Sequence, residues 1–128
     1  LLGAHDVYGF DHDPESARVS AENRAFNGLP ENAVRFGHAG LEAGLKGVSA
    51  DLLLANIQAD ILRIHAARLC GAVAPGGLLV LSGILAEEVA SVRESFMHPA
   101  IQHWGGAPET DTRVMGAWCD LCLWRPAG

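Results

Sequence analysis

Residues 50–62 spell ADLLLANIQADIL. An apolar run ends abruptly at Asn56, a short polar step follows, and from Ala59 an apolar pattern of a different period begins. A short, continuous apolar run fits a strand buried on both faces, and the new period fits a helix, so the stretch is a strand, a loop and a helix. Asn56 at the strand tip can be a turn residue, the cap of the next helix or a ligand group, because its amide both donates and accepts hydrogen bonds.

The same alternation extends in both directions. Upstream, DVYGFD (6–11) is a short apolar run closed by an acid and is expected to be a buried strand. In the next stretch Asp13 suits an N-cap, Pro14 the first helical turn and Glu15 the positive end of the helix dipole. Ala17, Ala21 and Ala25 recur every four residues, giving a face small enough to lie close to a sheet, and Asn27-Gly28 stops the helix. NAVRFGH (32–38) is a strand candidate, and EAGLKGVSA is expected to be a loop.

Downstream of Asn56, a helix is predicted from about Ala59 to Ala72, with Leu62, Ala66, Leu69 and Val73 at helical spacing. APGG (74–77) is expected to turn into a strand at LLVLSG (78–83). Leu85, Val89, Val92 and Phe96 mark another helix. After Pro99 the pattern changes: IQHWGG is a strand candidate, APETDTR is turn-like, and MGAWCDLCLW (115–124) alternates as a final strand. Two strands without an intervening helix imply an antiparallel end to the sheet. The fold class expected is α/β, a doubly wound sheet. In such sheets ligands sit at the carboxyl ends of the strands, which singles out Asp11, Asn56 and Ser82-Gly83.

Bulk properties narrow the function classes. The 128 residues suffice for one domain, and the formal net charge of −6 argues against broad electrostatic binding to nucleic acid or an anionic membrane. No apolar run approaches the roughly 20 residues of a membrane span. Three cysteines make no disulfide framework, so a cytoplasmic protein with free thiols is expected. The chain opens on Leu1 and runs straight into a strand pattern, as a fragment or trimmed domain would.

Three stretches, GFDHDPESARVSAENRAFNG, DLLLANIQADIL and APGGLLVLSGIL, occur in order. Together they resemble the class I methyltransferases that use S-adenosyl-L-methionine, and within them the ribosomal protein L11 methyltransferase family. The N-I-x-A step at Asn56, followed by LSGIL, carries that resemblance, which covers nearly the whole chain. It implies that Asp11 binds the ribose hydroxyls of S-adenosyl-L-methionine and that His12 lies beside the adenosine. It also implies that Asn56 lines the cofactor site near the methionine end and the target amine. The family methylates lysine side chains and the N-terminal α-amino group of ribosomal protein L11. Without the resemblance, Asp11 can be a ligand group or a turn residue, and Asp13 already occupies the capping position.

The family's glycine-rich first motif is not found in residues 1–128, and LLGA resembles the end of the helix that follows it. The expectation is therefore a partial catalytic domain over residues 1–128, without the first strand, the glycine-rich motif or the domain that recognises L11. Such a segment is expected to bind the cofactor poorly and not to methylate alone, and to leave an exposed sheet edge. A related methyltransferase for another amine or amide is the second reading. However, the Pro pair and aromatic of a D/N-P-P-Y/F step are replaced by Ile57, Gln58 and Ala59. A non-catalytic α/β interaction module is the third.

Other chemistry is weaker. CDLC (119–122) has metal or redox spacing, but residues three apart on a strand face opposite ways and no second Cys pair exists. The six histidines are dispersed, so no metal site is expected. Trp104, Trp118 and Trp124 suit core or sheet-face positions, and Ser82 lacks the flanking glycine of a nucleophile elbow.

Overall fold

The computed structural model describes residues 3–128. Leu1 and Leu2, half of the LLGA segment read as a helix end, lie outside the described residues, and Gly3 and Ala4 are not helical. The chain forms two compact units, one ending at Lys46 and one spanning Gly47–Gly128.

In the first unit, β1 (Val7–Asp11) and β2 (Val34–His38) pair in parallel, with Asp11 opposite His38. Between them runs α1 (Pro14–Phe26). Its start is the one expected: Asp13 accepts from the Glu15 backbone N–H at 3.1 Å and from Ser16 Oγ at 3.1 Å, with Pro14 in the first turn. It ends at Asn27, and Gly28 at φ 70° accepts the left-handed turn. The alanine stripe is only partly inward. Ala17 and Ala21 are half-buried and Ala25 is exposed, while Arg24 donates to the Val34 carbonyl at 2.8 Å and ties the helix to β2. The expected loop after β2 contains a short helix, α2 (Leu41–Gly44).

The second unit is a four-stranded sheet of order β3-β4-β6-β5. β3 (Ala50–Asn56) and β4 (Val73–Leu85) are parallel, and β6 (Trp118–Trp124) runs antiparallel to both β4 and β5 (Glu109–Met115). The antiparallel end is as expected, but its outer strand is not. Residues 109–115, including most of the turn-like APETDTR, form β5, and the IQHW of IQHWGG ends a helix that Gly105 caps. That helix, α5 (Val89–Trp104), continues through Pro99. Proline removes one helical hydrogen bond. Buried Phe96, Ala100 and Trp104 at four-residue spacing hold the helix on the core regardless, and Trp104 Nε1 donates to the Cys70 carbonyl at 2.9 Å.

The helix predicted over 59–72 is two pieces, α3 (Ala59–Ile64) and α4 (Ala66–Gly71), broken at His65. Hydrogen bonds continue across the break, from His65 N to the Ile61 carbonyl and from Leu69 N to the His65 carbonyl, so Leu62, Ala66 and Leu69 keep one buried face. APGG does not precede the strand but interrupts it. Between the pairs Ala50↔Val73 and Leu52↔Leu78 the β4 chain bulges, with Gly76 at φ 75°.

The core of this unit lies on one face of its sheet. Leu79, Leu81, Ile84, Leu121 and Leu123 are fully buried together with Val92 and Phe96 of α5 and Leu62 of α3. The other face carries Leu52 and Leu54 of β3, which are 54% and 70% exposed. The apolar run DLLLAN was expected to be covered on both sides. Within this unit the helices cover one side only, which is why the alternate leucines face outward.

Candidate functional site

Two of the three places singled out are strand ends, whereas Ser82-Gly83 lies inside a strand that continues to Leu85. Asp11 closes β1, Asn56 closes β3, and Ser82 lies late in β4 as the register partner of Asn56. Asp11 and His12 belong to the first unit, and Asn56 and Ser82 to the second.

Asp11 Oδ1 accepts the Asp13 backbone N–H at 2.9 Å, so the carboxylate serves the turn. Its other oxygen accepts no hydrogen bond among the described residues, which leaves one acceptor open. His12 is largely exposed, with Nδ1 3.5 Å from Asp11 Oδ1, and its carbonyl is engaged by His38 Nε2 at 2.9 Å.

Asn56 is not a helix cap. Gln58 holds the N-cap position of α3, with no side-chain capping bond. Asn56 is exposed, and its Oδ1 lies over Gly83: a Cβ on that residue would fall 2.5 Å from it. Gly83 has φ 75°, so glycine is required there for conformation as well as for the close approach.

Beside Asn56, Ser82 Oγ donates to Asp120 Oδ1 at 2.7 Å, linking β4 to β6. Asp120 was not foreseen, because it lies 38 residues from Ser82 and its neighbours suggest only an alternating strand. Asn56, Ser82 and Asp120 thus form a polar row across three adjacent strands, on the face that bears Leu52 and Leu54.

The two halves of CDLC separate as strand geometry requires: Cys119 is buried in the core and Cys122 is half-buried on the other face. Burial pushes the Cys122 thiol up, and it pushes that of Cys70 up to about 12. Trp104 is buried, whereas Trp118 is 57% exposed in the hairpin of β5 and β6.

The sequence profile of the family described as ribosomal protein L11 methyltransferase (PrmA) matches residues 1–122. The chain belongs to the ribosomal protein L11 methyltransferase family. A ribosomal protein L11 methyltransferase of Pseudomonas paraeruginosa is 46% identical over 96 residues, 75% of this chain and 32% of that protein. One from Geobacter metallireducens is 37% identical over 127 residues, 99% of this chain and 38% of that protein. The crystal structure of a ribosomal protein L11 methylase from Lactobacillus delbrueckii subsp. bulgaricus superimposes with a TM-score of 0.82 at 25% identity, over 98% of this chain and 60% of that one. The fold is therefore the Rossmann-like α/β fold of the methyltransferases, with parallel and antiparallel strands. The chain spans about a third of the length of these curated relatives.

Proposed function

We propose that these residues act in a methyltransferase that uses S-adenosyl-L-methionine and methylates amines of ribosomal protein L11, on lysine side chains and the N-terminal α-amino group. The observation that carries this reading is the family match over residues 1–122. It is supported by polar side chains at the carboxyl ends of β1 and β3, where α/β folds take ligands.

Asp11 fits the cofactor: one carboxylate oxygen is held by the Asp13 N–H, and the other can accept from a ribose hydroxyl. His12 would lie along the adenosine. Asn56 would line the methionine end and the target amine, where its exposed amide can accept from the amine and orient the lone pair. When bound, S-adenosyl-L-methionine supplies a methyl group already activated on a sulfonium. The protein's task is alignment of a neutral amine with that methyl carbon, and an ammonium must first lose its proton, which burial favours.

The 128 residues are proposed as part of one catalytic domain, with the glycine-rich motif and the L11-recognising domain contributed from outside them. By themselves they are proposed to bind the cofactor poorly. The proposed compartment is the cytoplasm, and no helix among the described residues is long and apolar enough to cross a membrane.

The test is mass spectrometry of unmodified L11 incubated with the full-length protein and S-adenosyl-L-methionine, beside calorimetric titration of the cofactor. Methylated lysines and a methylated N-terminus are expected, and both should disappear in Asn56→Ala. Absence of methylation together with absence of cofactor binding would overturn the reading.

A further inference from the structure

Asp120 is a carboxylate on the outer face of the second unit's sheet, and the proposed chemistry above gives it no task. Its place follows from register. Asn56 is the partner of Ser82 in the parallel pair of β3 and β4. Beyond Ser82, the β4–β6 pairing runs through Leu81↔Leu121 and Ile84↔Cys119, which sets Asp120 beside Ser82 and the irregular step at Gly83. Partner residues share a face, and strands are about 4.8 Å apart, so Asn56 and Asp120 flank Ser82 on that face, roughly 10 Å apart between their backbones.

The hydrogen bonding of Asp120 is one-sided. Oδ1 accepts from Ser82 Oγ at 2.7 Å, and Oδ2 accepts no hydrogen bond among the described residues. Its charged neighbours on this face are Arg113, its register partner on β5, and Asp111. The Arg113 guanidinium bonds to Asp111 at 3.4 Å rather than to Asp120. Asp111 is the register partner of Cys122, two residues along β6 from Asp120, so the three charges share one patch of this face. The result is a fixed carboxylate with an open oxygen, beside the strand end that carries Asn56.

We propose that Asp120, braced by Ser82, receives the cationic amine of the substrate and makes the site selective for an ammonium-bearing chain. The inference rests on the proposed amine methylation. The open Oδ2 accepts a charge-assisted hydrogen bond from the incoming ammonium; as the nitrogen leaves Asp120 its proton passes to solvent, and Asn56, exposed on the other side of Ser82, orients the neutral amine. Asp120 is thus a specificity-determining residue. Methyl transfer itself remains a matter of alignment.

The experiment uses the full-length protein, a lysine-containing L11 peptide as the probe, and three variants. Asp120→Asn keeps the shape and the acceptor for Ser82 but removes the charge. Loss of one charge-assisted hydrogen bond should raise the KM for the peptide about 10- to 100-fold. The kcat and the cofactor affinity should change little. The dependence of KM on salt should flatten, which a merely structural role would not produce. Ser82→Ala should raise KM less, because the charge remains. Arg113→Gln removes the competing cation and should lower KM or leave it unchanged.

A peptide KM in Asp120→Asn within twofold of the parent, with the same salt dependence, overturns the inference. So does an equal rise of KM in Arg113→Gln, which would mark a structural ion network. If the parent protein itself fails to methylate L11, the reading of the function falls rather than this assignment alone.

Discussion

Replacing Gly83 with alanine separates what the backbone requires from what Asn56 does. Gly83 sits at φ 75°, and an added Cβ would stand 2.5 Å from Asn56 Oδ1. The conformational cost of an L-residue in the left-handed region is about 1–2 kcal/mol. The stiffer unfolded chain of alanine offsets part of it, about 0.4–1 kcal/mol, leaving a net loss near 1 kcal/mol. The contact adds little to this, because Oδ1 is the end of an exposed side chain and can swing aside. It does, however, move the one group placed at the strand tip. Gly116, in the turn between β5 and β6, provides the control. It has φ 62°, and nothing lies within 4 Å of an added Cβ. Urea denaturation of the full-length protein should therefore give Gly83→Ala and Gly116→Ala the same loss, about 1 kcal/mol. Only Gly83→Ala should slow methylation of L11, by about 100-fold, as displacing an aligning group does. Equal rates in the two variants would refute the placement of Asn56 over Gly83 as functional. A loss in Gly83→Ala several kcal/mol beyond that of Gly116→Ala would refute the claim that Asn56 can yield.

Other consequences follow from the packing. Trp104→Phe removes the indole donor from the Cys70 carbonyl, which keeps the Ala72 N–H, and should destabilise the protein by about 0.5–1.5 kcal/mol in denaturant titration, whereas an unchanged midpoint would mean the hydrogen bond does not form. Asp13→Ala removes the cap of α1 and should cost about 1 kcal/mol, seen as earlier loss of helical circular dichroism. Burial pushes the Cys70 thiol from its ordinary 9.0 up to about 12. The fold thus binds the extra proton, and this contribution to stability is complete below pH 9 and lost as pH rises from about 9 towards about 12. Denaturation midpoints measured from pH 7 to 11 should fall in the parent and fall less in Cys70→Ala. Identical slopes would show that Cys70 is not desolvated.

Legibility in the sequence followed the range of the forces involved. The cap of α1 was readable because Asp13, Pro14, Glu15 and Ser16 act within one turn. The strand at 51–56 was readable from its apolar run, and its position in an α/β order directed attention to Asn56. Three elements were misread for the same reason: their stability comes from contacts distant in sequence. Pro99 and the turn-like residues after it signalled an end to the helix, but Phe96, Ala100 and Trp104 anchor α5 on the core. Residues 109–115 are polar and turn-rich, yet they are strand because every one of them finds a partner on β6. APGG looked like punctuation, and it is a bulge within a strand whose pairing resumes at Leu78.

The polar row beside Asn56 marks where reading along the chain gives out. Asn56 was ambiguous among cap, turn and ligand group, and the structure removes the cap, because Gln58 holds that position and Asn56 stands opposite Ser82 of β4. Asp120 gave no signal at all, since an acid in an alternating strand is commonly a solvated side chain. What gives it meaning is the antiparallel return of β6 between β4 and β5, which brings residue 120 back beside Ser82, 38 residues before it in the chain. A parallel return would have carried the start of β6 to the opposite edge of the sheet and left Ser82 without that acceptor. The reversal of one strand therefore sets a carboxylate beside the carboxyl ends of β3 and β4. The charge and the amide on which the proposed amine selectivity rests thereby flank a single serine.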